Sequence, residues 1–169
     1  MNASPEVAHA VEGESGLSPK AKTGPSLKAR ALKLLSMREH TRLELERKLA
    51  AHAESPEQLK EALDVLQAKG FINEARVVES VLHRRAARLG ASRVRQELQA
   101  KGVANTAIAE AVEHLRSTEL ARAREVWAKK FGSQPEDAKA RAKQIRFLIG
   151  RGFGAEVVKR VVAGADEEI

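Results

Sequence analysis

From Leu27 onward the apolar residues return every three or four positions and almost never alternate, which is the period of a helix face and not of a strand. Leu27, Ala31, Leu34 and Leu35 predict a first helix. Thr41 followed by Glu44 makes a capping box that opens a second, with Leu45 and Leu49 on one side. Ser55-Pro56-Glu57-Gln58 opens a third, with serine as N-cap and proline at the first helical position, and Leu59, Leu63 and Leu66 form its apolar stripe up to Gly70. Asn73 starts a fourth helix through Val77, Val78, Val81 and Leu82, expected to reach Gly90. Gly90–Val103 forms a fifth, and Ile108, Val112 and Leu115 mark a sixth. Thr118 to Phe131, ending at Gly132, predicts a seventh; Ser133 and Glu136 predict a capping box for an eighth running to about Ile149; Val157, Val158, Val161 and Val162 line a ninth.

These nine helices resolve into a repeat. Leu49, Leu98 and Leu148 lie about 50 residues apart, and each is followed four residues later by Ala53, Gly102 and Gly152. The third helices keep the same phase, with Leu59, Ile108 and Val158, then Leu63, Val112 and Val162. The expected fold is therefore all-α: three tandem three-helix repeats over residues 26–72, 73–117 and 118–163, forming an elongated, curved molecule. A three-helix unit this small buries too little surface to stand alone, so neighbours must lean on one another. Residues 1–25, rich in proline, glycine and serine, are expected to be a disordered tail, and residues 164–169, with Asp166, Glu167 and Glu168, an acidic one.

Composition adds a sign to this picture. The 169 residues carry a formal charge of +7, and beyond residue 25 there are 28 basic against 20 acidic residues, an excess that favours an anionic partner. Aromatic residues make up only 3%, so the core must be built from Leu, Val, Ile and Ala. There is no cysteine, which excludes disulfides and thiolate metal sites, and no apolar run approaches a membrane span. A soluble, cytoplasmic protein is expected.

Three segments bring a family into view. Leu35-Ser-Met-Arg38-Glu39-His40-Thr41-Arg-Leu-Glu44-Leu45-Glu-Arg-Lys48-Leu49 is the first. Gly90-Ala-Ser-Arg93-Val-Arg95-Gln96-Glu97-Leu98 with Lys101-Gly102-Val103 is the second, and Arg141-Ala-Lys143-Gln144-Ile145-Arg146-Phe147-Leu148 with Arg151-Gly152-Phe153 the third. In order and interval they resemble the signature segments of RecX, the bacterial regulator of the RecA recombinase, and the match runs from about Leu27 to Val162. The resemblance implies a non-enzymatic modulator, mainly a negative regulator, that lodges in the groove of the RecA–DNA filament. Such a protein limits filament growth, ATPase, strand exchange and coprotease activity, with links to DNA repair, recombination and the SOS response. The expected partners are the RecA filament and DNA, single-stranded within the filament and bound weakly alone, with a monomeric chain and no cofactor. Members of the family usually carry an aromatic residue in the first helix of the middle unit, where this chain has Val77 and Val81.

The residues themselves offer two basic clusters as candidate partner or DNA contacts. Arg84, Arg85, Arg88, Arg93, Arg95 and Lys101 face one acid, Glu97, in their interval. Lys139, Lys143, Arg146 and Arg151 lie in a stretch without any acid, with Lys139, Lys143 and Arg146 on one helical face and Ile145, Leu148 and Ile149 turned mainly to the core. Arginine's planar fork suits phosphate and carboxylate alike, although a solvated helix face would carry the same pattern. The alternative function is a free-standing helix-turn-helix-like DNA-binding protein using the same helices. His9, His52, His83 and His114 have no metal-ligand spacing, Gly150-Arg-Gly152-Phe-Gly154 reads as a helix-to-helix turn, and no constellation suggests catalysis. Phe71, Phe131, Phe147, Phe153 and Trp127 are all expected in the core, with Phe153 the first candidate for an exception because glycines flank it in its turn.

Overall fold

The structure, a computed structural model, describes residues 24–164; the expected tails at 1–23 and 165–169 lie outside the described residues. Nine α-helices and no strand occur among the described residues. The first three-helix unit comprises α1 (Leu27–Met37), α2 (Arg42–Leu49) and α3 (Pro56–Ala68). The middle unit comprises α4 (Glu74–Arg85), α5 (Ala91–Ala100) and α6 (Asn105–Ser117), and the third α7 (Glu119–Lys130), α8 (Ala138–Gly150) and α9 (Ala155–Ala163).

Most helix starts follow the local chemistry read from the chain. Thr41 accepts a hydrogen bond from the Glu44 amide while the Thr41 amide donates back to the Glu44 carboxylate, completing the capping box. Ser55 and Asn73 cap α3 and α4 by accepting from Gln58 and Arg76. Two boundaries differ from expectation. Helix α4 stops at Arg85 and not at Gly90, because residues 86–89 turn to meet the third unit. Helix α8 starts after Asp137, whose carboxylate accepts from Ala140, so the Ser133–Glu136 box does not form; the Ser133 carbonyl instead accepts from Gln144.

Each unit closes over its own apolar cluster. Leu45, Leu49, Leu63 and Leu66 centre the first, Val81, Val94, Leu98, Ile108 and Val112 the second, and Ala123, Leu148, Val158 and Val162 the third. The in-phase residues found by the repeat, Leu49, Leu98 and Leu148, are all buried, each contributing on the order of 2 kcal/mol of transfer free energy. Phe153 follows the core reading and not its exception: it is buried in the third cluster beside Val158, Val161 and Val162 of α9. Phe71 and Ile149 are exposed instead, Phe71 at the end of α3 and Ile149 on the outer face of α8.

The units are joined in a row by one repeated device. In each joint the N-terminal end of a unit's second helix seats on the C-terminal turn of the next unit's second helix. At the first joint the Thr41 hydroxyl donates to the Lys101 carbonyl, Arg47 donates to the Ala100 carbonyl, and Leu43 covers Gly102. At the second, the amides of Gly90 and Ser92 donate to the carbonyls of Arg151 and Gly152, at 2.9 and 3.3 Å. Gly102 and Gly152 sit at φ +78° and +89°, and a side chain at Gly152 would run into Arg93, so glycine is required for both conformation and approach.

Candidate functional site

The second joint creates an open basic groove. Arg122 of α7 donates to the carbonyls of Ala86, Leu89 and Leu115, at 2.8, 2.6 and 2.8 Å, and so draws the 86–89 turn of the middle unit against the third. Glu119, buried at the start of α7, accepts from the Ala91 amide at 2.8 Å and supplies the N-cap that Gly90 cannot. Between these tethers and the seated end of α5, two adjoining depressions of about 330 and 760 Å3 remain open along α7 and α8.

Seven cations line them: Arg85, Arg88 and Arg93 from the middle unit, Lys129, Lys130, Arg146 and Arg151 from the third. The acid present is Glu97, held by Arg85 at 3.0 Å. Phe147 forms part of the wall of both depressions, its ring set edge-on to Phe131 at a centroid separation of 5.4 Å. The Arg151 guanidinium and the Lys130 ammonium lie 5.1 and 5.6 Å from the Phe147 centroid, within cation–π range. A concave wall of this kind, cationic with one aromatic ring, has the chemistry to hold an extended polyanion.

The structure thus brings Arg85, Arg88, Arg93, Arg146 and Arg151 of the two sequence clusters to one place. The others lie elsewhere. Arg93 also has a structural duty, its Nε donating to the Gly150 carbonyl at 2.9 Å. Lys101 is only 14% exposed and pairs with Glu44 at 2.8 Å across the first joint, which commits its charge internally. Arg84 is exposed on α4 and donates to the Ser80 carbonyl, and Arg95 is exposed on α5, neither lining the groove. Lys139 and Lys143 stand exposed on the N-terminal half of α8, also outside it.

Sequence reasoning missed Lys129, Lys130 and Phe147. The two lysines fall in the last turn of a helix, where cations suit the dipole regardless of function, and Phe147 does pack against the third core cluster, as its apolar position implies, while also lining the groove. Glu119 had a readable signal: α5 begins Gly90-Ala-Ser, without a capping side chain of its own.

The first joint has its own electrostatics. Burial raises the Glu44 carboxyl, but hydrogen bonds from Arg38, Lys101 and the Thr41 amide overcome it and hold it at about 2. His40, 1% exposed, is pushed down from 6.5 by burial and by the cations Arg38 and Lys48; its Nδ1 contacts the Arg38 carbonyl at 2.9 Å and its Nε2 the Lys48 ammonium at 3.1 Å. The neutral tautomer with the proton on Nδ1 satisfies both contacts.

Comparison with known proteins agrees with this architecture. Models of the second and third three-helix domains of RecX match residues 73–112 and 117–162. The chain is 54% identical over 143 residues to the regulatory protein RecX of Leptothrix cholodnii, covering 85% of this chain and 91% of that one. With the RecX of Ralstonia nicotianae it shares 48% over 141 residues, covering 83% and 89%. A crystal structure of regulatory protein RecX superposes with a TM-score of 0.68 at 21% identity, over 80% of this chain and 70% of that one. The structure of RecX from Lactobacillus salivarius does so with a TM-score of 0.68 at 18% identity, over 82% and 93%, so the fold persists where most side chains have changed. With two domain models in register and close relatives matched along most of their length, this chain belongs to the RecX family.

Proposed function

We propose that this protein is a non-catalytic negative regulator of the RecA recombinase, binding in the groove of the RecA–DNA filament and limiting its growth, ATPase, strand exchange and coprotease activity. The reading rests on family membership, and the observation that carries it to specific residues is the basic groove at the second joint. Arg88, Lys129, Lys130 and Arg146 are exposed there. Arginine forks and lysine ammonium groups arranged along an open cleft match the phosphates of a bound strand or acidic side chains of the filament. The modules at 26–72, 73–117 and 118–163 act in this reading as three linked bodies, with the chain working as a cytoplasmic monomer and without a cofactor.

The test is a titration of RecA's DNA-dependent ATPase with the purified full chain. Substoichiometric inhibition is expected; an unchanged rate at excess protein overturns the reading. Strong, sequence-dependent binding to duplex DNA in the absence of RecA would instead point to a free-standing DNA-binding protein.

A further inference from the structure

The repeat supplies an internal control for the groove. Both joints share one backbone arrangement, so residues that only hold a joint together should have counterparts of similar character at the other. They do not. Aligned on Leu49 and Leu98, the positions of Arg88 and Arg93 are occupied at the first joint by Glu39 and Glu44. Aligned on Leu98 and Leu148, the positions of Arg146, Phe147 and Arg151 are occupied by Gln96, Glu97 and Lys101. The first joint thus mixes charges that neutralise one another, as Lys101 and Glu44 do, whereas the second gathers cations around an aromatic ring. Joint formation does not require this difference, because the first joint forms without it.

We propose that Phe147 is a stacking platform for an unpaired nucleobase, so that the groove recognises single-stranded nucleic acid by its bases as well as its phosphates; this rests on the polyanion reading of the groove given above. Phe147 is half-buried, and its ring borders both depressions. Phe131 meets it at an interplanar angle of 90°, which fixes the orientation of the ring. Lys130 and Arg151 reach over it, and each can turn to a phosphate while a base takes its place against the ring. Every base has a π-face, so such a platform is tolerant of sequence, and a duplex hides those faces within its own stack. Cations alone would hold any polyanion equally; the ring is what makes an unpaired base preferable.

The experiment compares binding of the full chain, by fluorescence anisotropy at low salt, to an oligothymidylate and to an abasic strand of equal length. The wild-type chain is expected to bind the base-bearing strand roughly ten-fold more tightly, a typical worth for one stacked base. Phe147→Leu should bring both strands to the same affinity without changing the salt dependence, and Phe147→Trp should keep the preference. Phe147→Met, checked by circular dichroism, serves as a second ringless variant should the leucine one unfold. Equal wild-type affinity for the two strands, or a preference that survives loss of the ring, overturns the platform and leaves the groove reading standing. If Arg88→Glu with Arg146→Glu fails to weaken binding to either strand, the groove reading itself falls, and the platform with it.

Discussion

The Lys101 ammonium stands 2.8 Å from the Glu44 carboxylate, and with the two side chains 14% and 13% exposed, a cation of the middle unit and an anion of the first are withdrawn from water together. Glu44 also receives both arms of the Arg38 guanidinium, at 3.1 and 3.3 Å, and the Thr41 amide at 2.9 Å. One carboxylate thereby caps α2, orders the 38–41 corner and clasps the next unit.

Removing both partners should cost less than the two single removals added together. Glu44→Gln leaves Lys101 and Arg38 facing each other, and Lys101→Met leaves a half-compensated carboxylate; each should destabilise the chain by about 2 kcal/mol. The double variant should lose clearly less than the sum. Urea denaturation of the four proteins gives the coupling directly.

Acid should weaken the first joint before the second. The Glu44 carboxyl is lower in the folded chain, at about 2, than its ordinary 4.5, so its contribution is complete above that ordinary value and is lost as pH falls from there towards 2. His40 acts in the same direction: its folded value lies below 6.5, so the unfolded chain takes up a proton first and stability declines as pH drops below 6.5. Stability measured between pH 7 and 3 should therefore fall, with Glu44 alone contributing on the order of 2 kcal/mol. In Glu44→Gln the decline below the ordinary carboxylate range should be shallower, and in His40→Gln the decline between neutrality and that range.

Two glycines of like conformation should respond differently to alanine. Gly70 and Gly152 both have positive φ, +81° and +89°. A methyl group at Gly70 would meet nothing within 4 Å, whereas at Gly152 it would lie 2.6 Å from the Arg93 amide. Gly70→Ala should cost about 1 kcal/mol for conformation alone, and Gly152→Ala about 3 kcal/mol because the joint must also part. Thermal denaturation separates the two.

Arginines of the second joint should divide by role. Arg122→Ala strands the carbonyl groups of Ala86 and Leu89, while that of Leu115 keeps its bonds from Thr118, and should cost about 3 kcal/mol. Arg88→Glu with Arg146→Glu touches exposed residues and should leave the melting temperature within about 2 °C. The same pair should nevertheless abolish most inhibition of RecA's ATPase, measured by the concentration giving half inhibition.

The helices, their register and the repeat were legible because they depend on local chemistry and on burial of one face. Thr41, Ser55 and Asn73 act through amides three residues away, and Leu49, Leu98 and Leu148 mark the buried face of each second helix. The boundaries at Arg85 and Asp137, which depart from the local pattern, lie where another part of the chain competes for the backbone: Arg122 takes the carbonyls of the 86–89 region, and Gln144 takes that of Ser133.

The chain by itself determined an all-α fold of three repeated units, because helix period, caps and in-phase leucines act within a few residues of one another. It also named all five arginines that line the groove. Only the tertiary structure decided which cations share a surface. Lys101 is spent on Glu44, while Lys129, Lys130 and Phe147 join Arg88 and Arg146 in one wall. That division follows from how the end of α5 seats on the turn after α8, a contact between residues some 60 positions apart, Gly90 with Arg151, that no local pattern encodes.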